Sequence, residues 1–177
     1  MIRAVLRGSP ILKAFARSRV RPVRRNVPPL SRLRLFLDEW AFWRVARGSD
    51  RLMPLRRAIA AQVPLMCDLS DTSLDASIRQ PMEAEHVLDP TKGGARIAAV
   101  LEMIRRETGL TLRDNQIECA VLLLNGDCVE LRTGEGKTLA AATAALVAAS
   151  VGVSVHVITV NDYLAERDHE LIAPLAA

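Results

Sequence analysis

The sequence predicts an α/β fold: an incomplete phosphate-loop βαβα unit, preceded by helices and by a basic N-terminal arm. Three observations predict it. The run Thr133-Gly134-Glu135-Gly136-Lys137-Thr138 has the form of a glycine-rich turn between a strand and a helix. Just after it, the uncharged stretch 139–160 divides into an Ala-rich half and a half rich in β-branched residues. Arginine crowds the first 34 residues, which carry no acid. With 177 residues, half of them apolar, the chain is long enough for one domain with a real core and an appendage.

The arm, residues 1–34, holds nine Arg and one Lys, on a remainder with 14 bases against 20 acids. Pro10, Pro22, Pro28 and Pro29 break any long helix there, and arginines interrupt each apolar run before it reaches the length of a signal-peptide core. The arm is therefore not a secretion signal. It reads as a solvated, flexible tail or as a strip that lies on anionic lipid or nucleic acid. A helical lead-in over 35–93 follows. Leu33, Phe36, Leu37, Trp40 and Arg44 recur at three- and four-residue spacing, so 31–47 reads as an amphipathic helix ending near Gly48. Five of the six aromatics lie in the first 43 residues; packing is the plain reading of that stripe, a partner or membrane the other. Further helices are expected over 54–61 and 69–78, then a loop over 81–94.

The last region, 94–177, carries the nucleotide unit. Ile97, Val100, Leu101 and Ile104 share one face of a helix over 94–108, which Gly109 ends as a C-terminal cap. Asp127-Cys128-Val129-Glu130-Leu131 reads as a strand that delivers the chain into the glycine loop. The 22 uncharged residues at 139–160 imitate a membrane span in length, but 139–149 favour a helix, Ser150-Val151-Gly152 a turn, and 153–160 a buried parallel strand. Asn161-Asp162 then caps a helix with Leu164, Leu171 and Ile172 on one face. The three cysteines, Cys67, Cys119 and Cys128, have no C-x-x-C spacing, so neither a disulfide framework nor a zinc site is suggested and a reducing compartment is expected. His86, His156 and His169 lie in different segments, and no protein-bound metal is expected.

Binding a triphosphate needs concentrated positive potential without bulky side chains in the way. Glycines at 134 and 136 let successive amides turn toward phosphate oxygens, and the following helix adds its N-terminal dipole. Lys137 would place its charge on the β and γ phosphates, and the Thr138 hydroxyl would reach the associated Mg²⁺. Thr133, Glu135 and the neighbouring Arg132 complete the candidate loop; Arg132 either approaches phosphate or is solvated, and Glu135 is expected to face water. The pattern G-x-x-x-x-G-K-[ST] is met except at its first position, where Leu131 stands, a departure that points away from small-molecule kinases and toward helicase-like motors.

Thr133-Gly134-Glu135-Gly136-Lys137-Thr138-Leu139 and Val157-Ile158-Thr159-Val160-Asn161-Asp162-Tyr163-Leu164-Ala165-Glu166-Arg167-Asp168 together resemble the corresponding motifs of SecA, the bacterial preprotein translocase motor ATPase. Gln116, seventeen residues before Thr133, sits where that family places an adenine-reading glutamine, with Gly109-Leu110 opening the segment. The resemblance spans about 68–177 and is nearest to accessory SecA-type proteins. Arg113 replaces the usual aromatic, Asn115 precedes the glutamine, and Cys119 and Ala120 replace two glycines.

What the resemblance implies is a RecA/helicase-like fold, ATP and Mg as cofactors, preproteins and a SecYEG-type channel as partners, and a cytoplasmic location at or near the inner face of the membrane. An anionic membrane surface is a further candidate partner, and no specific nucleic acid is expected. Family members use an Asp-Glu pair on a later strand and arginines from a second motor lobe; neither occurs in these 177 residues, so binding without fast hydrolysis is the expectation. On this reading the chain is the N-terminal part of an accessory-type SecA, as an incomplete sequence or a truncated product. A stand-alone nucleotide-binding regulatory module, and a membrane or partner adaptor with a vestigial loop, remain as alternatives.

Overall fold

The computed structural model describes residues 3–4 and 49–176, and a single helix lies at the centre of what it describes. In chain order the elements are β1 (Arg3–Ala4), α1 (Ser49–Cys67), α2 (Asp71–Arg79), α3 (Gly93–Thr108), α4 (Asp114–Asn125), α5 (Lys137–Ala149), β2 (Val157–Ile158) and α6 (Asp162–Ile172), with short 3-10 turns at Ala84–His86 and Ala173–Leu175. The arm and the helix expected over 31–47 lie outside the described residues, apart from β1.

The central helix is α3, whose apolar residues recur on one side of the turn and are buried: Ile97, Val100 and Ile104 expose 1%, 0% and 0% of their surface. It ends as its sequence suggests. Gly109 adopts φ 69° and its amide donates to the Arg105 carbonyl at 2.9 Å, a conformation that costs a residue with a Cβ far more. At the other end, a Cβ on Gly93 would stand 1.9 Å from the Val87 carbonyl oxygen, so the chain crosses there only because the residue is glycine. Helices α1, α2 and α5 pack on α3, and α4 packs on α5.

Helix α1 is longer than expected. Pro54 and Pro64 lie within it, and each removes a backbone donor. Burial of Leu55, Ile59 and Met66 overrides that loss, because one face of the helix is committed to the core. Helix α2 is capped by Ser70, whose hydroxyl accepts from the Ser73 amide at 3.3 Å, and it turns Leu74 inward.

Two polar hubs join these helices. Arg96 of α3 is buried to 4% exposure, and its guanidinium donates to the carbonyls of Ile78 and Gln80 at the end of α2 and, at 2.9 Å, to the Ser150 carbonyl at the end of α5. Burial lowers its pKa, while the negative ends of two helix dipoles favour its charge. Glu102 is the second hub, 2% exposed, held by Arg105 through two bonds of 2.7 Å and by Arg106 through one. Arg106 reaches on to Asp71 and to the Leu69 carbonyl, tying the α1–α2 corner to α3. No buried side-chain polar atom among the described residues lacks a partner.

The helices of the expected βαβα unit form; its strands differ. Residues 127–132 form no regular element and pair with no strand among the described residues, and the expected buried strand over 153–160 contracts to Val157–Ile158. That pair lies antiparallel to β1, with Arg3 opposite Ile158 and Ala4 opposite Val157. It is exposed rather than buried, Val160 and Tyr163 beside it standing 71% and 73% open. The physical reason is that a strand exists only through its neighbours: β-branched residues favour an extended chain, yet no parallel partner lies beside either segment among the described residues. The stretch 139–160 is a helix, a turn and an extended segment, and no described helix is long and apolar enough to cross a membrane.

Candidate functional site

The phosphate-loop candidate is built between the end of α4 and the start of α5. Gly126 ends α4 at φ 90°, and the Asp127 amide donates back to the Leu122 carbonyl at 3.0 Å, which turns the chain sharply away from the helix. After 127–132, the Glu135 amide donates to the Arg132 carbonyl at 3.2 Å and closes a turn over 132–135. Gly134 and Gly136 take φ values of 85° and 78°, in the left-handed region that their lack of a Cβ permits. Gly136 is the N-terminal cap of α5, its carbonyl accepting from the amides of Leu139 and Ala140. The amides that open a helix have no acceptor within it, so positive potential gathers at this end.

Polar bonds hold the loop in this shape. The Glu135 carboxylate accepts the Arg132 amide at 2.7 Å, and Lys137 Nζ donates to the Arg132 carbonyl at 2.7 Å. Glu135 therefore does not simply face water as expected: a short carboxylate-to-amide bond across its own turn holds it half-buried. Gln116, 7% exposed on α4, sends Nε2 to the Glu135 carbonyl at 2.8 Å, while its Oε1 accepts the Arg113 amide at 2.9 Å and caps α4. Thr138, in the first turn of α5, receives a hydrogen bond from Arg167 Nη2 at 3.2 Å, and Arg167 is ion-paired with the buried Asp168 at 2.7 Å.

The structure thus connects Gln116, Arg132, Glu135, Lys137 and Thr138 around the two glycines, with Thr133 exposed in the turn. Two cationic side chains, Lys137 and Arg167, belong to this assembly, the second delivered by α6, while Arg132 takes part through its backbone. Helix α6 forms where Asn161 accepts the Leu164 amide at 2.9 Å, the cap its sequence predicts. Nothing in the spacing predicts the Arg167 contact with Thr138; its only signal in the sequence is that Arg167 lies in the second run that resembles SecA. Cys119 and Ala120, 6% and 1% exposed, lie on the buried side of α4, consistent with small side chains where α4 meets α5. Such an arrangement offers donors and positive charge to an oxyanion and places one hydroxyl, Thr138, beside them.

A second titratable cluster stands away from the loop. Glu83, Glu85 and His86 bring their ligand-type atoms within 4.8 Å of one another, a gathering the scattered histidines of the sequence did not suggest. Lys92 Nζ lies 3.4 Å from His86 Nε2, so the cluster already has an ammonium beside it. Near it, the Asp89 carboxylate accepts the amides of Thr91 and Lys92 at 2.8 and 3.0 Å, and these bonds, with the Thr91 hydroxyl first, hold its pKa below the usual carboxylate value.

The SecA DEAD-like domain family model matches residues 38–177. Protein translocase subunit SecA of Acidithiobacillus ferrooxidans is 40% identical over 138 residues, covering 74% of this chain and 15% of that protein. Protein translocase subunit SecA 3 of Mycolicibacterium vanbaalenii is 46% identical over 108 residues, 61% of this chain and 14% of its own length. Protein translocase subunit SecA 2 of Mycobacterium leprae is 52% identical over 79 residues, 45% of this chain and 10% of its own. The chain therefore spans about one-seventh of the length of the first two relatives.

Proposed function

The chain belongs to the SecA DEAD-like domain family, and from that membership we propose that it is the ATP-binding N-terminal portion of a SecA-type protein translocase motor. The family brings with it the RecA/helicase-like α/β class; the parallel arrangement of 127–131 and 153–160 within that class is part of the proposal. The observation that carries the reading is the loop itself. Two left-handed glycines, the start of α5, and the side chains of Lys137 and Thr138 converge on one turn.

The residues fit a magnesium triphosphate by the chemistry of their donors. A Cβ built at Gly134 meets nothing within 4 Å, so the outer side of the turn is open to a bulky anion. Backbone amides of 134 and 136–138 would bind phosphate oxygens, and Lys137 would exchange its bond to the Arg132 carbonyl for one to phosphate. Thr138 would offer its hydroxyl to the metal, with Arg167 yielding that contact. Bound ATP supplies a phosphoanhydride bond whose cleavage can drive movement. For this chain the proposal is binding without rapid turnover: fast hydrolysis requires a group that orients the attacking water, and the loop carboxylate nearest the site, Glu135, is held on the Arg132 amide. Preproteins, a SecYEG-type channel and a position at the inner face of the membrane are proposed as the setting of the whole motor.

Titration of the chain with Mg-ATP tests this. Wild type is expected to bind, and Lys137→Ala to lose at least tenfold in affinity, since it removes a charged donor from the phosphates. Equal affinity in the two proteins would remove the loop from consideration.

A further inference from the structure

Gln116 touches the loop, and the way it does so assigns it a task. Its amide nitrogen donates to the Glu135 carbonyl at 2.8 Å, and its amide oxygen is occupied by the Arg113 amide at 2.9 Å. The side chain is 7% exposed, and a Cβ on Gly136 would stand 2.2 Å from Nε2, so the carboxamide lies where a side chain at 136 would otherwise be. The peptide between Glu135 and Gly136 is consequently gripped from one side. Because a trans peptide is planar, with its C=O and N–H pointing in opposite directions, fixing the Glu135 carbonyl toward α4 directs the Gly136 N–H away from it. That N–H has no acceptor among the described residues.

We propose that Gln116 is a positioning residue of the phosphate loop: by holding the Glu135 carbonyl, it aims the Gly136 amide outward as a donor for a phosphate oxygen. The inference rests on the reading of the loop as a triphosphate site, and it deepens that reading by giving Gln116 a part in the phosphate loop. Without the grip, the 135–136 peptide is free to rotate. A rotated peptide presents a carbonyl oxygen to the anion instead of an N–H, which repels where it should attract. Gln116 thereby links the N-terminal end of α4 to the first turn of α5 through one peptide plane.

The test uses two ligands that share phosphates and differ in the base: Mg-ATP and inorganic tripolyphosphate with Mg²⁺, titrated into wild type, Gln116→Ala and Gln116→Met. A positioning role weakens both ligands by the same factor, about tenfold, the loss expected when one charge-assisted donor is misdirected. Gln116→Met keeps the side-chain volume where the alanine variant fails to fold, and thermal melting checks each protein. A loss confined to ATP, with tripolyphosphate unchanged, assigns Gln116 to the base and overturns the inference. So does unchanged affinity for both ligands in folded variants. Failure of wild type to bind either ligand overturns the phosphate-site reading, and the inference with it.

Discussion

Around α3, Ile97, Val100 and Ile104 are closed off from water; among them Arg96 is held by carbonyls at the ends of α2 and α5, and Glu102 by Arg105 and Arg106 of α3 and by Cys67 of α1. Along 126–136 the chain is irregular or turning, exposed or half-buried, and shaped by single polar bonds from Gln116, Glu135 and Lys137. The difference teaches how the two regions can be perturbed. Removing apolar volume near α3 takes away contacts that nothing replaces, whereas removing a loop bond leaves groups that water can satisfy. Stability therefore resides in the helices, and on the proposed function ligand response resides in the loop.

The comparison breaks most readily at the core. Ile104→Ala deletes atoms from a fully buried site and is expected to cost about 2–5 kcal/mol of unfolding free energy, measured by urea denaturation. Lys137→Ala, at an exposed position, should leave the denaturation midpoint nearly unchanged while weakening Mg-ATP. A core variant as mild as the loop variant would mean that α3 is not the centre of stability.

A smaller effect sharpens the same contrast through pH. The Arg105 hydrogen bonds, opposed by burial and helped by Arg106, lower the Glu102 pKa from 4.5 to about 2. A folded-state pKa below the unfolded value means that the unfolded chain binds the proton more readily. The stabilisation is complete above pH 4.5 and is lost progressively as pH falls toward 2. Melting temperature followed from pH 6 to pH 2 should fall less steeply in Glu102→Gln than in wild type, with the wild-type advantage vanishing at the acid end. The Cys67 thiol, raised first by burial and then by its bond to Glu102, should remain a poor nucleophile at neutral pH.

The helices were legible where a single segment carries its own instructions. The apolar spacing of α3 and its Gly109 cap, the Ser150-Val151-Gly152 turn and the Asn161 cap of α6 are local features, and local rules found them. Helix α1 was legible only in part, because Pro54 and Pro64 argue locally for breaks that burial of Leu55 and Met66 overrides. Of the expected strands only Val157–Ile158 forms, since strand pairing depends on what lies beside a segment and not on its own residues. At the candidate site the glycines and Lys137 announced a phosphate loop by spacing. The grip of Gln116 on Glu135 and the reach of Arg167 to Thr138 join residues 19 and 29 positions apart, and no spacing rule encodes such contacts.

Hydrogen exchange with and without Mg-ATP tests most directly whether the loop, carried on a self-sufficient helical core, is the part that answers to nucleotide. The account predicts slower exchange across 132–138 and the first turn of α5 when ligand is added, with the amides of α3 unchanged. Protection spread evenly over α3 and the loop, or none at 132–138, would contradict it.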